Sequence, residues 1–124
     1  MRRVLVAGGA SDNAHSRIYH ALYTVHERWS IGCVIHGGHS ETDHLAEAWA
    51  KQQGIPTEVF AADWRGQGFA AGPASHRRMF EQGCPDFVVA FPGGRGTPDL
   101  VERARTLGLP VLDLRRPAGA VGGV

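Results

Sequence analysis

Short apolar runs alternate along this chain with longer stretches in which polar and apolar residues are mixed. Three of the runs stop at glycine or proline, and none shows the strict alternation of a strand with one solvated face. Continuous apolar runs of this length are typical of parallel strands buried on both faces. We therefore predict five strands, over residues 3–7, 31–36, 57–61, 87–91 and 110–114.

The stretches between these runs carry apolar residues at helical spacing. The spacing predicts helices over residues 12–28, 42–53, 72–81 and 98–107. Gly54 and Gly108 are placed to end the second and fourth helices. Thr97 is the expected N-cap of the fourth helix, with Pro98 at its first position. Alternating strands and helices predict an α/β fold, a three-layer Rossmann-like sandwich with a five-stranded parallel sheet.

Length and composition limit the kinds of protein this chain can be. At 124 residues we expect a single domain over residues 1–114, followed by a loose Gly/Ala/Pro-rich tail over residues 115–124. A hydrophobic content of 43% argues against disorder, and no apolar run approaches the ~20 residues that span a bilayer. The formal charge of +1 disfavours nucleic acid as a partner.

Cysteine and histidine give little support for a metal or a redox role. Cys33 and Cys84 lack metal-ligand spacing and are interpreted as reduced thiols of a cytoplasmic protein. His36, His39 and His44 cluster near Asp43, but their spacing matches no familiar zinc motif. We therefore expect neither a metal nor a cofactor.

Glycine is the one residue in excess, with 17 of 124 positions. Three double glycines follow predicted strands, where the loops of a parallel sheet share one edge and bind ligands. Loops without side chains let backbone N–H groups approach an anion. These predicted ligand-binding pairs are Gly8-Gly9, Gly37-Gly38 and Gly93-Gly94.

The third pair belongs to the most informative segment, Pro92-Gly93-Gly94-Arg95-Gly96-Thr97. Arg95 can bind a phosphate through two parallel hydrogen bonds, and Thr97 adds a hydroxyl, so we predict all six residues as ligand-binding. A glycine turn and helix cap that serve the fold alone are the alternative. The P-loop motif and the GxGxxG fingerprint are both absent, which disfavours P-loop nucleotidases and ordinary NAD dehydrogenases.

The ordered set of motifs resembles the YspA-type, cpYpsA-related members of the SLOG superfamily, which also contains Smf/DprA and the Lonely Guy phosphoribohydrolases. The resemblance covers nearly the whole chain and is carried by residues 4–9, 36–38, 43, 45–50, 62–64, 68, 71–73, 79 and 91–99. It implies a Rossmann-like domain that binds nucleotides or nucleotide-derived ligands and that forms homo-oligomers.

Four positions depart from the pattern of that family. YspA-type proteins usually carry Arg at Ala10, Gly at Glu41, and an Arg-Asn pair at Ser75 and His76. The glutamate of the Lonely Guy enzymes is replaced here by Leu100, so their hydrolytic mechanism cannot be transferred intact.

Several further side chains have both a structural and a functional interpretation. Asp43 either caps a helix or serves as a base, and Glu41 either faces solvent, pairs with an arginine such as Arg77 or Arg95, or forms an acid/base pair with Asp43. Trp64 either stacks on a base or covers the sheet edge. Gly72, His76 and Arg77 are predicted near the ligand, with a plain helix surface as the alternative.

Two functions remain open from the sequence. The first is binding of a nucleotide or nucleotide-derived small molecule, as a sensor or ligand-binding domain. The second is an enzyme, a nucleoside-phosphate N-glycosidase in which Glu41 and Asp43 activate water or stabilise the ribosyl cation. We expect no membrane contact for either, and the sequence leaves open whether the protein catalyses a reaction.

Overall fold

The computed structural model describes residues 1–10, 13–68 and 71–115, without the side chains of Trp64 and Gln67. Apart from Arg115, the predicted tail lies outside the described residues, and so does the predicted start of the first helix at Asp12. In the described part no helix is both long and apolar enough to cross a membrane.

A five-stranded sheet with the order β3-β2-β1-β4-β5 forms the centre of the fold, and every neighbouring pair is parallel. The predicted α/β class and parallel sheet are confirmed. The strands are β1 Arg2–Ala7, β2 Ile31–His36, β3 Thr57–Val59, β4 Phe87–Ala90 and β5 Val111–Asp113. The edge strand β3 is shorter than predicted because only three of its residues pair with β2.

Five helical segments cover the sheet within the described residues. They are α1 Ala14–Trp29, α2 Glu41–Gln53, α3 Trp64–Gln67, α4 Ala71–Glu81 and α5 Thr97–Thr106. The four-residue α3 was not predicted. The prediction that Thr97 caps α5 is wrong, because Gly96 takes the cap position and the Thr97 hydroxyl donates to the carbonyl of Gly93 at 2.9 Å.

The central strand β1 divides the core into two apolar layers. Val4 and Val6 pack with residues of α1 and α2, including the fully buried Trp49. Leu5 and Ala7 point to the other face and pack with residues of α4 and α5. Successive residues thus face opposite layers, which explains why the strand is apolar without interruption.

The strands that follow β1 in the sequence are added on one side of it, as β2 and β3, and then on its other side, as β4 and β5. The order of strands therefore switches between the neighbours β1 and β4. The helix that follows β1 packs on one face and the helix that follows β4 packs on the other. The loops that leave these neighbouring strands therefore diverge and open a crevice at the carboxyl end of the sheet, where ligands of such folds bind.

The base of this crevice is a contact between the β1 and β4 loops. The N–H of Gly9 donates to the carbonyl of Pro92 at 3.0 Å. A Cβ at Gly9 would overlap the backbone nitrogen of Gly94 and lie 2.8 Å from the carbonyl carbon of Gly93. Only glycine at this position lets the two loops touch.

Gly9→Ala is therefore expected to lower the free energy of unfolding by about 1–3 kcal/mol, because backbone atoms cannot move aside as a flexible side chain can. Gly32→Ala is the matched control, since the nearest atoms to its new Cβ belong to the exposed Met1. The control should stay within about 0.5 kcal/mol of the parent protein. Equal urea denaturation midpoints for both variants would contradict the close contact of the loops.

Candidate functional site

A cleft of about 900 Å³ lies above the carboxyl ends of β1 and β4. The structure brings most of the predicted site residues into its wall, although their contacts with a ligand stay predictions. The predicted residues in the wall are Gly8, Gly9, Gly37, Glu41, Asp43, Gly72, His76, Gly94, Arg95, Gly96 and Thr97.

The remaining predicted residues are placed elsewhere or are not described. Gly38, Pro92 and Gly93 belong to the same loops but do not line the cleft. Arg77 lines a separate groove between α4 and α5. The side chain of Trp64 lies outside the described part of the structure.

The amino end of α5 opens onto the cleft. Gly96 at its cap position supplies no side-chain hydrogen bond, and Gly94 has the positive φ of 84° that the turn requires. Within the described residues, the N–H groups of Gly94, Arg95 and Gly96 have no acceptor. The partial positive charge of the helix end is therefore directed at the cleft.

The amino end of α2, in contrast, is closed by its own sequence. The Ser40 hydroxyl accepts from the N–H of Asp43, and the Asp43 carboxylate accepts from the N–H groups of His39 and Ser40. Thr42 donates its N–H to the carbonyl of Gly9. Asp43, which is 7% exposed, thus caps the helix, and its catalytic role stays a prediction.

Glu41 is the freer of the two predicted catalytic carboxylates. It begins α2, is exposed and lies in the cleft wall. Among the described residues it forms no ion pair, so the expected pairing with Arg77 or Arg95 is not present.

His36 holds the loop between β2 and α2. It is 2% exposed, and its Nε2 lies 2.6 Å from Oε1 of Glu47 while its Nδ1 accepts the N–H of Gly38 at 2.9 Å. Burial raises the pKa of Glu47, but hydrogen bonds from His36 and Thr57 outweigh burial and the pKa is lowered. Both ring nitrogens of His36 are thus engaged by the protein. In the described part, no three His, Cys, Asp or Glu side chains are grouped to hold a metal.

A second histidine–carboxylate pair forms part of the cleft wall. Nδ1 of His76 lies 2.6 Å from Oδ2 of Asp99, and the same oxygen accepts from Nε of Arg103 at 2.8 Å. Burial raises the pKa of Asp99, but the hydrogen bonds from Arg103 and His76 outweigh burial and lower it. Asp99 is therefore ionised at neutral pH.

Sequence reasoning did not include Asp99 among the site residues. It lies 23 positions from His76, and the contact between them arises from the packing of α4 against α5. An acidic residue in the first turn of a helix is common because it suits the helix dipole, so its presence alone gives no signal of a functional pair.

Comparisons with known proteins agree with this architecture. The Gene 61 protein of Mycobacterium phage D29 is 34% identical over 121 residues, which cover 91% of this chain and 96% of that protein. MurG of Acinetobacter baumannii is similar in structure, with a TM-score of 0.55 and 22% identity over 89% of this chain. The chain spans 33% of the MurG chain, and the likeness supports the Rossmann-like fold alone.

The same comparisons identify the family. The sequence profile of the YspA, cpYpsA-related SLOG family, YAcAr, matches residues 2–66, the part of the chain that forms β1 to the start of α3. This match covers the first two loops of the cleft. The chain therefore belongs to the YspA, cpYpsA-related SLOG family.

Proposed function

We propose that this protein binds a nucleotide or a nucleotide-derived small molecule, with the phosphate at the amino end of α5. The SLOG family and the Rossmann-like fold both suggest a nucleotide-related ligand. The observation that carries the proposal is the loop that leads into α5, where Gly94, Arg95 and Gly96 line the cleft and their N–H groups have no acceptor among the described residues.

The contrast between two helix ends supports this location for the phosphate. The aligned peptide dipoles place roughly half a positive charge at the start of a helix, where an anion is stabilised. At α2 the carboxylate of Asp43 already fills that position. The first turn of α5 also carries a carboxylate, Asp99, but its Oδ2 is paired with His76 and Arg103 and no side chain caps the helix. A phosphate is therefore better accommodated at the amino end of α5 than at that of α2.

Arg95 supplies the full positive charge of the proposed site. It is exposed, lies in the cleft wall and forms no ion pair with the described carboxylates. Arg103 is already held by Asp99. A planar guanidinium can donate two parallel hydrogen bonds to a phosphate, which favours Arg95 for this contact.

The rest of the cleft fits the less polar part of such a ligand. Val6, Pro73, Met79 and Leu100 contribute apolar surface to the wall. Apolar walls combined with a few directed polar groups are typical of small-molecule sites, and a flat nucleobase is a suitable occupant.

The localisation, oligomeric state and partner of the protein are also proposals. The family resemblance supports a cytoplasmic homo-oligomer, and the formal charge of +1 supports a small molecule over nucleic acid as the partner. Sedimentation velocity of the full chain with and without ligand would show whether it self-associates.

Arg95→Ala is expected to weaken the binding of ADP-ribose by about 1.5–3 kcal/mol, the scale of a charged hydrogen bond, which is about 10- to 150-fold in Kd. Isothermal titration calorimetry measures this change. Arg77→Ala is the matched control, since it removes the same charge from outside the cleft. An unchanged Kd for Arg95→Ala, or an equal loss in both variants, would contradict a phosphate contact of Arg95.

The alternative function is hydrolysis of an N-glycosidic bond. It is favoured by one observation, that Glu41 and Asp43 lie in the wall of the same cleft. In this function a carboxylate takes a proton from water as the water oxygen bonds to the ribosyl carbon. The bond from that carbon to the nucleobase breaks, and the nucleobase leaves with the electron pair and takes a proton from solvent. Asp43 is held in the cap of α2, so Glu41 is the better candidate for this step.

If the protein is a glycosidase, Glu41→Gln should abolish release of the free base from AMP while Kd changes by less than about tenfold. Proton NMR of AMP, ADP-ribose, NAD and cyclic dinucleotides with the protein reports both contact and new resonances of a free base. Intact ligands that show saturation transfer for hours would favour a sensor. Equal turnover in Glu41→Gln and the parent protein would remove Glu41 from the mechanism.

A further inference from the structure

The two histidine–carboxylate pairs, His36 with Glu47 and His76 with Asp99, differ in one respect that bears on ligand binding. In His36 both ring nitrogens are engaged, Nε2 by Glu47 and Nδ1 by the N–H of Gly38. In His76 only Nδ1 is engaged, by Asp99, and among the described residues Nε2 has no hydrogen-bond partner. Both nitrogens of His36 thus stabilise the loop between β2 and α2, whereas Nε2 of His76 can bind a ligand.

Nε2 of His76 lies against the proposed phosphate site. A Cβ added to Gly96 would stand 2.8 Å from Nε2 and 2.7 Å from Cε1 of the ring. The imidazole edge thus lies against Gly96, the N-cap residue of α5. The side chain is only 12% exposed, and His76 contributes to the wall of the cleft. An anion on the N–H of Gly96 would lie within reach of Nε2.

The protonation state of the ring decides whether that contact is favourable. Asp99 is an ionised acceptor, so Nδ1 carries a hydrogen in both the neutral and the charged ring. In the neutral ring Nε2 then presents a lone pair, which repels a phosphate oxygen. In the imidazolium Nε2 presents an N–H, which donates to that oxygen.

We propose that His76 binds the phosphate of the ligand as an imidazolium, so that binding takes up one proton at Nε2. The inference rests on the proposed function and adds to it a contact of the phosphate with His76 and a dependence of affinity on pH. The proton comes from solvent and returns to solvent when the ligand leaves. Asp99 is a positioning residue, because it fixes the ring through Nδ1.

Charged and titratable groups near His76 lie on α3, α4 and α5, in the loop before α5, and on the α2 side of the cleft. Asp99 and Arg103 lie on α5, and Arg95 lies in the preceding loop. The groups on the remaining neighbouring elements are His39, Glu41 and Asp43 across the cleft, Arg65 on α3, and Arg77 and Arg78 on α4 itself. Among these groups His39 is the other imidazole, so it needs its own control.

The test measures the Kd of ADP-ribose for the full chain from pH 5.5 to 8.5. The diphosphate of ADP-ribose does not titrate in this range, so a change in affinity reports the protein. Affinity should be highest at acid pH, where Nε2 carries a proton, and fall by up to about tenfold per pH unit as that proton is lost. A ligand hydroxyl that donates to the lone pair of Nε2 would give the opposite slope and overturn the proposal.

Two variants assign the slope to one ring. His76→Gln keeps an N–H donor near the position of Nε2 but cannot be protonated, so the dependence of Kd on pH should vanish. His39→Asn removes the other cleft histidine and should keep the slope. A slope that survives in His76→Gln, or that disappears in His39→Asn, overturns the proposal.

The outcomes also separate this inference from the proposed function. Binding of ADP-ribose with an affinity independent of pH would leave the proposed function standing and overturn the role of His76. Absence of binding at every pH, with ADP-ribose, AMP and NAD alike, would overturn both.

Discussion

The architecture of the cleft depends on the close contact between the loops that follow β1 and β4. Gly9 meets the backbone of Gly93 and Gly94 at a distance that leaves no room for a Cβ. The contact joins two strands whose following helices pack on opposite faces of the sheet. Without this contact the first turn of α5 would lose its support from β1. The glycines of these two loops thus serve packing, and that packing forms the place where we propose the phosphate.

Two helix ends and two histidines differ in how fully the protein satisfies their hydrogen bonds. The amino end of α2 is satisfied by Ser40 and Asp43, whereas that of α5 has no side-chain cap. His36 is held at both ring nitrogens, whereas His76 is held at one. In each pair the unsatisfied member lies at the α5 side of the cleft. Both unsatisfied groups thus lie close together, and this is where we propose the phosphate.

The local sequence was enough to predict the strands, the main helices and the sheet edge that carries the cleft. Apolar runs mark the strands, and each of the five is present, with the edge strands β3 and β5 only partly buried. Which glycines pack against each other could not be predicted from the sequence. Gly9 donates its N–H to the carbonyl of Pro92, and this contact exists because β1 and β4 are neighbours in the sheet. The pairing of His76 with Asp99 was missed because it depends on how α4 packs against α5. Arg77 was predicted in the cleft and lies in another groove, since its helix turns it outward.

The most direct test of the account is a titration of ¹⁵N-labelled protein with ADP-ribose, followed through the backbone amide resonances. The account predicts that the largest shifts occur at Gly94, Arg95 and Gly96, whose N–H groups face the cleft without an acceptor from the described residues. The amides of His39, Ser40 and Asp43 should move less, because the helix cap already engages them. Shifts centred on the start of α2, on the groove of Arg77, or on no residue at all would contradict a phosphate site at the amino end of α5.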